Sequence, residues 1–292
     1  MEHGYAGKGV QGVSDEETQT TAGFLSEMKR RGEPIAMLTC YDFPTAVQQD
    51  ASDVDIILVG DSVGINILGY ESPQQVTMAD MLHHTRAVRR GVRNAILLAD
   101  LPYRSYETDS QAVDNARLLA DAGADMVKLE GAGEVAGRIE AITADGTPVV
   151  GHVGHLPQTW KGNRHVYGDR AEEAARVLAG ALALEASGAV AVVLECVPEQ
   201  VAGVVSRALS IPTIGIGSGR RCDGQVLVAP DLLGLNDFSF RYSKRYAELG
   251  RTICEAFTRY VNDVKEKRYP AEEHRYRIRN EELRKFKALA EE

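Results

Sequence analysis

The sequence predicts an α/β fold, a (β/α)₈ TIM barrel, on three observations. First, eight short β-branched apolar runs recur along the chain: Ile35–Tyr41, Asp55–Gly60, Ala95–Asp100, Met126–Glu130, Pro148–Val153, Ala191–Cys196, Thr213–Gly217 and Gln225–Ala229. Each is nearly continuous in apolar residues rather than alternating, as expected of a parallel strand covered on both faces. Second, most of the stretches between them are long enough for a crossover helix. Ala112–Ala122 is followed by Gly123, Ala171–Ser187 by Gly188, and Pro198–Leu209 stops just before Ile211-Pro212, each a fitting helix stop. Third, no linker interrupts the series, and no GxGxxG turn follows the first run, where an open dinucleotide-binding sheet would carry it. The Gly-rich stretch Gly215–Gly219 comes after the seventh run instead, in the loop region where barrels often hold anions.

Bulk properties narrow the function. The 292 residues are 44% hydrophobic and 26% charged, with a formal net charge of -9. That is enough apolar material for one large core, and the acidic balance excludes a nucleic-acid surface. No apolar run reaches the roughly 20 residues of a membrane span. Met1–Thr21 is polar and Gly-rich without the apolar core of a signal peptide, so it is expected to be a mobile tail of a cytoplasmic protein. Residues 22–274 are expected to form a single barrel domain and 275–292 a helical extension. In that extension, Leu283, Phe286 and Leu289 share one face of Asn280–Glu292. The face suits either a packing arm onto a neighbouring subunit or a helix closing its own barrel. The four cysteines lack metal-type spacing and are read as reduced thiols, with Cys40 and Cys196 as packing residues.

Charges fall where a barrel does chemistry. Asp61 and Ser62 end the second run, Asp100 the third, Lys128 and Glu130 the fourth, His152 the fifth and Glu195 the sixth, and Ser218 follows the seventh. Catalytic groups of barrels project from the carboxyl ends of strands. Charges in apolar strands are costly unless paired or metal-bound. Asp61, Asp100 and Glu130 are hard oxygen donors suited to Mg²⁺, which keeps open positions for water and substrate oxygens. Such a site fits a 2-oxo acid chelated through its ketone and carboxylate, with Lys128 as a point charge and Glu195 or His152 as the proton acceptor. Lys128 as a Schiff-base nucleophile is the competing mechanism.

These residues sit in long motifs: TCYDFPTA at Thr39–Ala46, ILVGDSVG at Ile57–Gly64, HTRAVRRG at His84–Gly91, LLADLPY at Leu97–Tyr103, AGADMVKLEG at Ala122–Gly131 and GHVG at Gly151–Gly154. LECVP at Leu194–Pro198, IPTIGIGSG at Ile211–Gly219, DGQVLV at Asp223–Val228 and YPAEEH at Tyr269–His274 continue the series. From about Thr39 to His274 the chain resembles the ketopantoate hydroxymethyltransferases, within the phosphoenolpyruvate mutase/isocitrate lyase-like barrels. The resemblance implies Mg²⁺ held by Asp61, Asp100 and Glu130, directly or through water. It implies a 2-oxo acid contacted by Asp61, Ser62, Asp100 and Lys128, with Glu195 as the proton acceptor and His152 near the substrate, either catalytic or orienting a loop. It also implies 5,10-methylenetetrahydrofolate as co-substrate, 2-dehydropantoate as product, and a homo-oligomer, often a decamer.

The mouth loops depart from the family pattern. GHxGLTPQ becomes a sequence in which Gly154 is followed by His155-Leu156-Pro157-Gln158, and STLPVT becomes Ser72-Pro73-Gln74-Gln75-Val76-Thr77. A GG-aromatic-basic-VQG stretch becomes Gly162–Gly168, Pro230 precedes Asp231 where histidine is common, and Phe240 replaces a familiar proline. Three readings therefore stay open: the family's own reaction, a paralogue using another 2-oxo acid or one-carbon donor, and a scaffold without activity.

Overall fold

The computed structural model of the chain describes residues 21–160, 162, 166–236 and 240–291. The expected mobile tail, apart from Thr21, lies outside them. Eight parallel strands close into a barrel in sequence order, with the eighth paired to the first. The strands are β1 Ile35–Thr39, β2 Ile56–Val59, β3 Ile96–Asp100, β4 Met126–Lys128, β5 Val149–Gly154, β6 Ala191–Glu195, β7 Thr213–Ile216 and β8 Gly224–Leu227. Each coincides with an apolar run of the sequence to within two residues at either end. Tertiary hydrogen bonding, which sequence periodicity does not register, fixes the ends.

Side-chain parity sorts the core into two layers. Successive strand residues point to opposite faces of the sheet. Met37, Ile56, Leu58, Leu98, Met126, Val150, Val193, Ile214 and Val226 form one buried cluster inside the barrel. Leu25 and Met28 of the helix Thr21–Arg31 join that cluster. The intervening residues, among them Ile57, Leu97, Ala99, Val127, Val149, Val192 and Leu194, belong to a second cluster with Ala116, Leu119, Ile139, Leu184 and Val205 of the crossover helices. Both faces are apolar because both are covered, which is why the runs show no alternation. The crossover helices begin at capped positions. Asp42, Thr77 and Thr108 accept the backbone N–H three residues on, at the starts of Phe43–Asp50, Met78–Arg89 and Asp109–Asp121, satisfying donors that the first turn leaves unpaired.

Two compact units emerge from the contacts. One is Met1–Leu232 with Phe238–Lys244, and the other is Leu233–Asp237 with Arg245–Glu292. After β8 the first unit contains the short helix Ala229–Leu232, whereas the long helix Leu249–Lys265 falls in the second unit and buries none of its residues. The helix Asn280–Ala290 also buries none, and Phe286 and Leu289 are exposed.

One glycine holds the barrel's mouth in shape. Gly154 ends β5 at a φ of 100°, and a Cβ there would lie 2.3 Å from the Glu195 carbonyl oxygen and 2.8 Å from Val197 Cγ2. Both the left-handed backbone and the strand-to-strand approach require glycine. Gly154→Ala is expected to lower the unfolding free energy by about 2–4 kcal/mol, from backbone strain plus overpacking. Urea denaturation checks this, and a loss under about 1 kcal/mol would mean that β5 and β6 separate without strain.

Candidate active site

The inward rows of β3 to β6 end in charge. Two residues beyond each buried interior residue stands an ionisable one: Leu98 leads to Asp100, Met126 to Lys128 and then Glu130, Val150 to His152, and Val193 to Glu195. The parallel register sets Asp100 opposite Lys128 and Gly154 opposite Glu195. Asp61 follows β2 by two residues, and its backbone N–H donates to Asp100 Oδ2 at 3.1 Å. The same parity that fills the barrel with methyl groups thus gathers Asp100, Lys128, Glu130, His152 and Glu195 at its carboxyl end, whereas Asp61 stands beyond the end of β2 in the parity of the outward Ile57 and Val59.

Asp61, Asp100, Lys128, Glu130 and His152 are all buried. Lys128 Nζ lies 3.1 Å from Asp100 Oδ1. His152 bridges two carboxylates, with Nδ1 3.5 Å from Glu130 Oε1 and Nε2 3.3 Å from Glu195 Oε2. These are charge contacts without aligned hydrogen bonds, so both ring nitrogens and Asp100 Oδ1 are left with unfilled hydrogen-bonding capacity. Glu195 is the most open of the group, with 15% of its side chain exposed. Ser62 is half-buried, and its hydroxyl is 2.8 Å from the Tyr41 hydroxyl. Ser218 is committed to structure: its hydroxyl donates to the Leu194 carbonyl and accepts from the Val197 N–H.

Burial sets the protonation balance. It raises the Asp61 carboxyl to about 8, helped by the neighbouring Asp100 and Glu130 charges. Burial also raises Asp100, against the opposing pull of Lys128. For Lys128 burial works toward neutrality, but Asp100, Glu130 and Asp61 outweigh it and hold the ammonium above its ordinary range. His152 is likewise opposed by burial, yet Glu130 and Glu195 lift it to about 9. Burial disfavours the Glu130 anion too, and the His152 contact prevails to keep its carboxyl below the usual range.

Gln158, in the loop after β5, was missed by periodicity and by charge, because a neutral loop residue carries neither signal. Its agreement with the final glutamine of the family's GHxGLTPQ, from which the preceding residues depart, was the only sign of it. The residue is 0% exposed. Its Nε2 donates to Asp61 Oδ2 at 2.8 Å and to the Leu101 carbonyl at 3.0 Å, while its backbone N–H donates to Glu130 Oε2 at 3.0 Å. The Tyr106 hydroxyl donates to its Oε1.

The donor set fits a hard divalent cation. Asp61, Asp100 and Glu130 are three buried carboxyl groups around the Lys128 ammonium, which pairs directly with Asp100 alone. Among the described residues no three of His, Cys, Asp and Glu converge as a finished cage. An ion that keeps water and takes only one or two protein oxygens is therefore the better match. Among the same residues no helix is long and apolar enough to cross a membrane.

Comparison with known proteins identifies relatives of the chain. The profile of the family described as ketopantoate hydroxymethyltransferase matches residues 19–272. The chain is 50% identical over 250 residues to the 3-methyl-2-oxobutanoate hydroxymethyltransferase of Thermus thermophilus, covering 84% of this chain and 96% of that protein. It is 47% identical over 264 residues to the enzyme of that name from Acetivibrio thermocellus, covering 89% and 93%. Among solved structures, phosphonopyruvate hydrolase in complex with oxalate and Mg²⁺ superposes with a TM-score of 0.59 at 12% identity, covering 93% of this chain and 97% of that one. The 2,3-dimethylmalate lyase, described as a PEP mutase/isocitrate lyase superfamily member, gives 0.57 at 15% identity, covering 93% and 99%. At such identities the structural likeness concerns the fold.

The raised carboxyl has a measurable consequence in metal-free protein. Asp61 is lifted from 3.8 to about 8 on folding, so its contribution to stability is complete below pH 3.8 and is lost as pH rises toward about 8. His152, lifted from 6.5 to about 9, contributes below pH 6.5 and loses that contribution as pH rises through about 9. In EDTA the denaturation midpoint is therefore expected to fall as the pH rises from 6.5 to about 9, and Asp61→Asn should flatten the Asp61 part of the slope. A pH profile unchanged by Asp61→Asn would contradict the assignment.

Proposed function

The chain belongs to the ketopantoate hydroxymethyltransferase family, and on that basis we propose that it transfers a one-carbon unit from 5,10-methylenetetrahydrofolate to 3-methyl-2-oxobutanoate. The products are 2-dehydropantoate and tetrahydrofolate, with water supplying the hydroxyl, in the route to pantothenate and coenzyme A. One observation carries the reading: the Glu130–His152–Glu195 line of charge contacts beside the Asp100–Lys128 pair. It sets a partly open carboxylate next to a buried cationic and anionic cluster, which is the equipment for taking a proton alpha to a ketone.

Asp61, Asp100 and Glu130 would hold Mg²⁺. Both Glu130 oxygens already face neighbours, Gln158 and His152, which favours a water between Glu130 and the ion. When bound, the metal supplies Lewis acidity that disperses negative charge on the 2-oxo acid. Lys128 offers its ammonium to the substrate carboxylate, and Asp61, Ser62 and Asp100 complete the contacts to the acid. Glu195 takes the proton from C3, and His152 holds Glu195 in place from the buried side. The carbon so activated bonds the methylene carbon of the folate as one C–N bond of the donor breaks, and water then replaces the second nitrogen on that carbon, releasing tetrahydrofolate and leaving the hydroxyl.

A homo-oligomer is part of the same proposal. Ile253, Phe257, Tyr260, Val261 and Val264 form an exposed apolar stripe on the helix Leu249–Lys265, a surface more fitting to an interface than to water. A second reading keeps this chemistry but changes the acid or the one-carbon donor. It is favoured by the altered mouth loop at Gln74, whose side chain donates to the Gln158 carbonyl at 2.9 Å.

The test is formation of 2-dehydropantoate from the two substrates, followed by mass spectrometry with Mg²⁺ and with EDTA. Metal-dependent product is expected, and absence of product under both conditions would remove the reaction. Glu195→Gln should lower kcat by about 10²–10⁴-fold while the KM for the acid changes little. Wild-type turnover in that variant would remove Glu195 as the base. Asp100→Ala should weaken Mg²⁺ binding by calorimetry, and an unchanged affinity would contradict its assignment as a ligand.

A further inference from the structure

Loops on barrels normally run over the surface, yet the loop after β5 sends one side chain, that of Gln158, completely into the protein. Its partners come from the connections after three different strands. Asp61 follows β2, Leu101 and Tyr106 follow β3, Glu130 follows β4, and Gln74 lies in the outer part of the loop after β2. The hydrogen-bonding capacity of the primary amide is matched on both sides, two N–H groups to Asp61 and Leu101 and the carbonyl to Tyr106. Reversing the amide would set its carbonyl against the Asp61 carboxylate and the Leu101 carbonyl. The orientation is therefore unique.

We propose that Gln158 is a positioning residue that fixes Asp61 and Glu130 relative to each other and links that arrangement to the mouth loops. The inference rests on the assignment of these carboxylates to a cation and a 2-oxo acid. One side chain and its own backbone N–H hold a carboxylate oxygen from each of two strand ends, so neither carboxylate can rotate without breaking a bond to the same residue. The carbonyl of Gln158 in turn receives the Gln74 amide. Gln74 occupies the place where the family's STLPVT has leucine, which cannot donate. In this chain the loop after β2 is thereby tied to the residue that aligns the carboxylates, and a change in that loop is passed to the site through a single hydrogen bond.

The experiment uses the full chain and Mn²⁺ alone as the probe, with binding read by electron paramagnetic resonance before any substrate is added. Gln158→Met keeps the length of the side chain and removes its donors and acceptor. It should weaken Mn²⁺ binding by about 10–100-fold, the usual cost of removing a partner that orients a metal ligand. With Mn²⁺ saturating, kcat should fall while the KM for the 2-oxo acid moves less. Gln74→Leu alters an exposed side chain with little risk to folding. It should raise the KM for the acid several-fold and leave kcat nearly unchanged, a split that simple loss of stability would not produce. Wild-type Mn²⁺ affinity in folded Gln158→Met would overturn the proposal. If that variant does not fold, wild-type KM in Gln74→Leu would overturn it. A wild-type chain that binds no Mn²⁺ would instead sink the cation assignment on which the inference depends.

Discussion

The structure depends on how a closed barrel tolerates several carboxylates at the dry end of its interior. Asp61, Asp100 and Glu130 are buried around one ammonium, Lys128, with His152 as the other source of positive charge among the described residues of their network. Burying unpaired charge is expensive, and proteins relieve it by pairing, by protonation or by binding an ion. Here pairing is incomplete: Lys128 pairs directly with Asp100, and Asp61 is pushed to about 8. Such a site suits the cation and the anionic substrate proposed for it.

Barrel geometry explains why the cluster forms where it does. The inward rows are apolar through the barrel's middle and become ionisable only at their carboxyl ends, so a single alternation of side chains serves both the core and the site. Gly154 keeps β5 close to Glu195, and Gln158 reaches back from the same loop to Asp61 and Glu130. The stretch of chain that carries His152 therefore also carries two of the devices that shape its surroundings. Such sharing allows outer loop positions to vary while the charged interior is retained.

Much of this was legible in the sequence, for identifiable reasons. Strands buried on both faces announce themselves as continuous apolar runs, and all eight runs became strands. The charged ends were legible because charge inside an apolar run is improbable without a partner. Sequence periodicity could not say which contacts would join those charges, and the His152 bridge between Glu130 and Glu195 depends on register between strands. Gln158 stayed hidden because its importance comes from burial, which a neutral loop residue does not advertise. The exposed apolar face of Leu249–Lys265 was not legible either, because burial is a tertiary property.

The central claim is that these residues activate the carbon beside the ketone, a step that precedes any encounter with the one-carbon donor. Exchange of the C3 hydrogen of 3-methyl-2-oxobutanoate in D₂O, followed by NMR without folate, measures that step directly. The account predicts exchange with Mg²⁺ present and its loss in EDTA. Failure to exchange under either condition, with this acid and with a panel of other 2-oxo acids, would contradict it.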